Sequence, residues 1–256
     1  MISVIIPTYK EPEHLDLCLK SAFEGQVNNN EIIVVVDGFY ELNKPILDKY
    51  PKVNVLDLGS NQGLSVATNW GVYNATHDYI LVVNDDNVFP RNWDYKLTQF
   101  KQQGVVVSAN QIEPNPSMFS QFIIKDLGKS PEEFDLKGYW DFEDTQYKQA
   151  ELNGSTLPFM MNKYDYLAVG GWDVMYPSPH VVDWDFFLKC EYVGYLMKRV
   201  YVNFYHFAGA ATRKTHEQSA ESTRKELIAH DFFTAKWGSK AEHNPQNNSK
   251  LLSKFK

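Results

Sequence analysis

Asp85 and Asp86 stand side by side at the end of the apolar run Tyr79–Val83, and Asn84 and Asn87 flank them. Adjacent carboxylates repel each other unless something positive sits between them. Mg²⁺ and Mn²⁺ answer that need, because hard cations take oxygen ligands and often share them with substrate phosphates. The apolar run reads as a buried parallel strand. Such a strand delivers its last residues to the sheet edge, where open α/β sheets bind their ligands. A plain turn is the alternative, since Asp and Asn turn well and Pro90 and Asn92 follow closely.

Two earlier apolar runs also end in useful polar residues. Ile2–Ile6 is followed by Pro7-Thr8-Tyr9, and Glu31–Val36 by Asp37-Gly38. An acidic residue after the second strand of a nucleotide-binding βαβ unit accepts hydrogen bonds from a ribose or a base. Asp37-Gly38 also suits a simple turn. No G-x-G-x-x-G follows the first run, which disfavours a dinucleotide site. Gly128-Lys129-Ser130 is not a P-loop, because Ile123 stands where its first glycine must be. There is no G-x-S-x-G elbow and no EF-hand loop.

The elements that must position these residues alternate in period. Strands are predicted at 2–6, 31–36, 53–58, 79–83 and 105–109, and helices at 13–23, 42–50, 65–74 and 90–103. Strands alternating with helices mean βαβ units and a parallel sheet. Residues 111–150 carry Pro114, Pro116 and Pro131 without clear periodicity and read as a long irregular segment. Order returns with a strand at 156–161, helices at 163–169 and 184–192, a strand at 197–204 and a helix at 217–237. The tail 238–256 is rich in Asn, Ser and Lys and is expected to be disordered.

With 256 residues the chain has ample length for a core, and its net charge of −7 argues against nucleic acid as the main partner. Cys18 and Cys190 fall in separate predicted helices without metal spacing, so two buried free thiols are expected. The N-terminus lacks a basic region and a long apolar core, and no apolar run reaches membrane-spanning length. A soluble, cytoplasmic protein is the expectation.

Ser3-Val-Ile-Ile-Pro-Thr-Tyr9, Val34-Val-Val-Asp37-Gly38, Asn61-Gln-Gly63 through Asn69-Trp-Gly71 and Asn84-Asp85-Asp86-Asn87 together resemble the successive motifs of glycosyltransferase family 2. Gly170-Gly171-Trp172-Asp173, Val182-Asp183-Trp184-Asp185 and the late His206 continue the resemblance to about residue 210. It implies a GT-A fold, a Rossmann-like α/β/α sandwich around a mostly parallel central sheet. It also implies one catalytic domain over 1–237, with a nucleotide-sugar half at 1–110, an acceptor half at 111–210 and a C-terminal helix at 211–237. The implied activity is a metal-dependent, inverting transfer of a sugar from a nucleotide diphosphate, UDP by expectation, to a glycan or other hydroxyl acceptor.

The resemblance also assigns roles. Pro7, Thr8, Tyr9 and Asp37 would hold the nucleobase, with Asn61 and Gly63 in the same nucleotide site and Asp85 near the ribose. Asp86 would bind Mn²⁺ or Mg²⁺, with His206 completing the metal shell or touching the diphosphate. Asp183 would be the base that deprotonates the acceptor, from a helix N-terminus that favours its ionised form. Asp183 also suits a helix N-cap, and Asp185 is a rival base expected to be the more exposed of the two. His206 alone also suits a structural role, Asn61, Gly63 and Asn69 suit turn geometry, and Trp172 and Tyr139-Trp140 suit either core or sugar stacking. Three positions depart from the family pattern: Asn84 for an Asp, Thr68 for an Arg and Val182 for a Glu. Two rival readings are a non-catalytic nucleotide-sugar or glycan-binding protein and a nucleotidyltransferase. The latter usually needs a glycine-rich basic loop after the first strand, which Pro7–Pro12 does not supply.

Overall fold

The computed structural model of the 256-residue chain describes residues 1–115, 122–177, 179–207, 216–241 and 252. Its strands are β1 (Ser3–Thr8), β2 (Glu31–Val36), β3 (Asn54–Asp57), β4 (Tyr79–Val82), β5 (Asn87–Val88), β6 (Val105–Glu113), β7 (Ile123–Ile124), β8 (Lys148–Asn153), β9 (Phe159–Asn162) and β10 (Leu196–His206). Its helices are α1 (Pro12–Gly25), α2 (Tyr40–Leu47), α3 (Leu64–Asn74), α4 (Trp93–Thr98), α5 (Leu136–Gln146), α6 (Lys163–Val169), α7 (Val182–Tyr192) and α8 (His216–Trp237).

The strands form one mixed sheet in the order β3-β2-β1-β4-β9-β6-β10-β5, with β7 on β6 and β8 on β10. The block β3-β2-β1-β4 is parallel throughout, as is the pair β6–β10. Antiparallel β9 joins the two. The chain runs outward from β1 to β3, then returns to lay β4 on the other side of β1. That reversal puts a topological switch point at the carboxyl ends of β1 and β4, where α/β sheets take ligands.

The apolar runs are continuous because both faces of the sheet are covered. Ile5, Val35, Ile80 and Val82 face one layer with α3, α6, α7 and α8. Val4, Ile6, Val34 and Leu81 face the other with α1, α2 and α4. Gly71 allows α3 to lie against β1, since a Cβ there would collide with the Ile5 side chain. Both cysteines are buried and free.

Three expectations are corrected. The helix predicted at 90–103 is only α4, because Asn92 adopts a left-handed conformation (φ 57°) just before it and Gly104 (φ 73°) turns the chain after it. The strand predicted at 105–109 runs on to Glu113. The segment 111–150 is largely ordered where described, and Pro116 lies outside the described residues. It holds β7, a 3₁₀ turn at Pro131–Glu133, and α5. The Asp135 carboxylate caps α5 by accepting from the Gly138 N–H at 2.9 Å. Apolar spacing did not reveal α5 because its inner face is polar. Buried Glu143 pairs with Lys96, and the Tyr139 hydroxyl donates to the Asn203 carbonyl at 2.8 Å. The tail 242–251 and 253–256 lies outside the described residues. Among the described residues no helix is long and apolar enough to cross a membrane.

Candidate functional site

Asp85 and Asp86 sit in the turn between β4 and β5, at the reversal of strand order. The Thr8 hydroxyl, at the end of β1, donates to Asp85 Oδ2 at 2.7 Å. Two residues later β5 pairs with β10, setting His206 opposite Asn87. A two-residue strand therefore brings a histidine from the far end of the chain to the carboxylate pair. His206 Nε2 lies 3.6 Å from Asp86 Oδ2, and its Nδ1 lies 2.9 Å from Glu113 Oε1.

The charges in this cluster are strongly coupled. Burial, then repulsion from Asp86, pushes the Asp85 carboxyl up to about 7. Burial also opposes ionisation of Asp86, but the neighbouring His206 outweighs it and holds Asp86 below the ordinary carboxylate range. Burial disfavours a charged His206, yet Asp86 and then Glu113 raise it to about 10. His14 favours the ionised form of both carboxylates, and its ring meets Phe207 edge-on at 5.1 Å. Beneath the turn lies the buried Cys18 thiol, pushed well above its usual range by burial and by the two aspartates.

The residues fit a divalent cation. Among the described residues no three His, Cys, Asp or Glu side chains converge as a complete ligand set. Two converge instead, Asp86 and His206, and Mg²⁺ or Mn²⁺ commonly takes few protein ligands and fills its shell with phosphate and water. Glu113 holds Nδ1 of His206 and leaves Nε2 facing Asp86, the usual arrangement behind a metal-bound histidine. The buried side-chain oxygens of Asn84 and Asn87 have no donor. Glu113 was missed in the sequence. Its only signal is that it ends a parallel strand, as Thr8 does and Asp37 nearly does, and the expected end of that strand at Ala109 concealed it.

A second group lies beyond β1 and β2. Asp37 accepts from the backbone N–H groups of Gln62 at 2.5 Å and Gly63 at 3.0 Å, so it fixes the 60–63 turn. Burial nonetheless raises its pKa. Gly38 (φ 88°) passes so close to this turn that a Cβ would meet the Asn61 nitrogen at 3.0 Å. Gly63 is also left-handed (φ 92°), and Asn61 is exposed at the turn tip. Phe39 is half exposed and adopts φ 58°, a costly conformation for a large side chain. Its ring meets Tyr9 edge-on at 5.2 Å, and the Lys10 ammonium lies over both. Pro7 is buried inside β1 opposite Val35.

The third group is on α7. Asp183 lies in its first turn and is partly exposed. Burial raises it to about 6, against the hydrogen bonds of the Trp184 and Asp183 N–H groups. The helix N-terminus was expected to favour the ionised form; it does, but burial outweighs it. Asp185, expected to be the more exposed of the two, is fully buried instead. It accepts from Trp237 Nε1 at 2.8 Å and Tyr176 hydroxyl at 3.2 Å, and pairs with Lys236 at 2.8 Å. Other motif residues are structural. Asn69 accepts from the Tyr166 hydroxyl at 2.6 Å and the Trp172 N–H at 2.9 Å, and Trp172 and Tyr139 are core. Trp140 is half-buried and donates its indole N–H to the Phe89 carbonyl at 2.9 Å.

The family model for glycosyl transferase family 2 matches residues 3–163. A Bacillus subtilis protein named glycosyltransferase EpsH is 23% identical over 215 residues, which cover 80% of this chain and 60% of that protein. Among solved structures, Staphylococcus aureus TarS 1–349 in complex with UDP aligns with a TM-score of 0.57 at 15% identity, covering 93% of this chain and 72% of that one. The mannosyltransferase PcManGT of Pyrobaculum calidifontis, in complex with GDP-Man and Mn²⁺, aligns with a TM-score of 0.62 at 13% identity, covering 98% and 68%. At these identities the structural likeness shows the fold, which is that of GT-A glycosyltransferases.

Proposed function

The chain belongs to glycosyl transferase family 2, and from that premise we propose that it transfers a sugar from a nucleotide diphosphate, by preference UDP, to a hydroxyl acceptor with inversion at the anomeric carbon. The observation that carries the reading is the chain Asp86–His206–Glu113 at the reversal of strand order. It is a two-ligand set with an oriented histidine, suited to a cation shared with a diphosphate. The UDP and GDP-Man–Mn²⁺ complexes of the two structural neighbours support a nucleotide-sugar donor and a divalent ion.

In this reading residues 1–110 bind the donor, 111–210 shape the acceptor site, and 211–237 complete the domain. Asp86 and His206 hold Mn²⁺ or Mg²⁺, and Glu113 fixes the histidine ring. The ion, when bound, neutralises charge that develops on the leaving diphosphate. Thr8, by donating to Asp85, keeps that carboxylate turned toward the ribose. Tyr9 packs on the base, and Asp37 offers its remaining lone pairs to the N3–H of uracil while it holds the turn at Asn61 and Gly63. Asp183 accepts the proton of the attacking acceptor hydroxyl. Two free buried cysteines suit a cytoplasmic setting.

The test is release of nucleoside diphosphate from UDP-glucose, UDP-galactose, UDP-N-acetylglucosamine and GDP-mannose, with Mn²⁺ and a mixture of mono- and oligosaccharide acceptors. Acceptor-dependent UDP release with an inverted product is expected. Tight UDP binding with no turnover on any acceptor would make the chain a nucleotide-sugar-binding protein instead.

A further inference from the structure

The family match ends at residue 163, so α7 and α8 lie beyond it. Asp183 and Asp185 are two residues apart on α7, which turns them about 200° from one another. Asp183 therefore keeps one side toward solvent while Asp185 points into the protein. A fully buried carboxylate is costly unless it is paired and hydrogen-bonded. Asp185 finds its partners on α8: the Trp237 indole N–H at 2.8 Å and the Lys236 ammonium at 2.8 Å.

Lys236 also donates to Asp173 at 2.7 Å, so the last turn of α8 ties together both ends of the segment 173–185. Between these ends, α8 meets described residues of the segment at three points. Phe232 meets Tyr176 edge-on at 4.7 Å, Ser222 lies 3.1 Å from His180 Nε2, and the His230 ring approaches Trp184 at 6.0 Å. Tyr176 is close enough for its phenol to feel the charge of Asp183. Ala229, Phe233 and Trp237, four residues apart, bury the same helix against the sheet layer.

We infer that Asp185 is a positioning residue, which fastens α8 across the start of α7 through Lys236 and Trp237 and thereby sets the orientation and the partial burial of Asp183. This rests on Asp183 being the base. It gives α8 a part in the acceptor site, where a displacement of about 1 Å in a reacting group costs up to ~10²-fold in rate.

The test uses the full chain with Trp237→Phe, Lys236→Met and Asp185→Asn. The Asp183 carboxyl is followed by carbon-13 NMR titration, its resonance assigned by its loss in Asp183→Asn. Trp237→Phe, which alters no charge, should lower the Asp183 midpoint toward an ordinary carboxylate, whereas Lys236→Met and Asp185→Asn each also remove a charge that by itself moves it, up and down respectively. UDP affinity with Mn²⁺, measured by calorimetry, should stay within about twofold, since the α8 contacts share no partner with Asp86 or His206. Trp237→Phe keeps the ring and loses one hydrogen bond, so it carries the test should Asp185→Asn fail to fold. A lower melting temperature with an unmoved Asp183 midpoint would overturn the inference and leave α8 as structural support. Failure of the base reading shows separately, as full UDP release by Asp183→Asn, and the titration does not depend on it.

Discussion

The two carboxylate pairs of this chain are placed by opposite means. Asp85 and Asp86 sit in the turn that leaves a buried parallel strand, and their partners come from neighbouring strand ends: Thr8 from β1, Glu113 from β6 and His206 from β10. Asp183 and Asp185 sit on a helix, and Asp185 is held by a second helix about fifty residues later in the chain. A sheet edge gathers polar residues because backbone pairing leaves only its ends open. A helix offers every direction, so which carboxylate faces the site depends on what packs behind it. At the sheet edge the charges face one another, with Asp86 held low and Asp85 raised to about 7. On α7 one carboxylate is neutralised by Lys236, while the other is raised to about 6 chiefly by burial.

The largest expected effect separates the pairs by function. Asp183→Asn keeps the shape and removes the basicity, so turnover should fall ~10²–10⁴-fold. UDP affinity should be unchanged, and full turnover in this variant would pass the base role elsewhere. The unsubstituted chain should gain transfer activity as pH rises through about 6, where the proposed base Asp183 ionises. Stability runs the other way. The folded pKa lies above the ordinary value of 3.8, so the stability this group contributes is present below that value and lost as pH rises through about 6. Asp183→Asn should therefore raise the melting temperature at pH 7 and leave it nearly unchanged at pH 3.

Next in size is Glu113→Gln. Removing the carboxylate behind a metal-bound histidine typically costs ~10–100-fold in metal affinity. Titration of Mn²⁺ in the presence of UDP measures this, and an unaltered affinity would detach His206 from the proposed metal site. The smallest effect concerns the strained corner by Asp37. Phe39 holds φ 58°, where a Cβ costs about 1 kcal/mol. Urea unfolding should rank Phe39→Gly above Phe39→Ala by about 0.5–1 kcal/mol, the reverse of the usual order in regular structure. Both should weaken UDP binding alike if the ring packs beside the base.

Most of the strand framework was legible because buried parallel strands read as unbroken apolar runs. The helix α6, from Lys163 to Val169, was legible because Asn162 caps its start and left-handed Gly170 ends it. Asp86 and His206 were both visible as candidates, but only the two-residue β5 brings them together, and nothing local announces so short a strand. Glu113 was hidden because a strand expected to stop at Ala109 continues for four more residues, carried by pairing with β10. Asp185 was misjudged for a different reason. Two carboxylates in one helical turn look alike in sequence, and the Lys236 and Trp237 that distinguish them arrive with α8.

The central proposal is a cation shared between Asp86, His206 and a diphosphate. Calorimetric titration of UDP, with Mn²⁺ and then with a chelator, tests it on the parent chain, Asp86→Ala and Asp183→Asn. The parent and Asp183→Asn should bind roughly 100-fold more tightly with Mn²⁺, a gain of about 2.7 kcal/mol, and Asp86→Ala should lose that gain. Equal affinity for UDP with and without Mn²⁺ in the parent chain would contradict it.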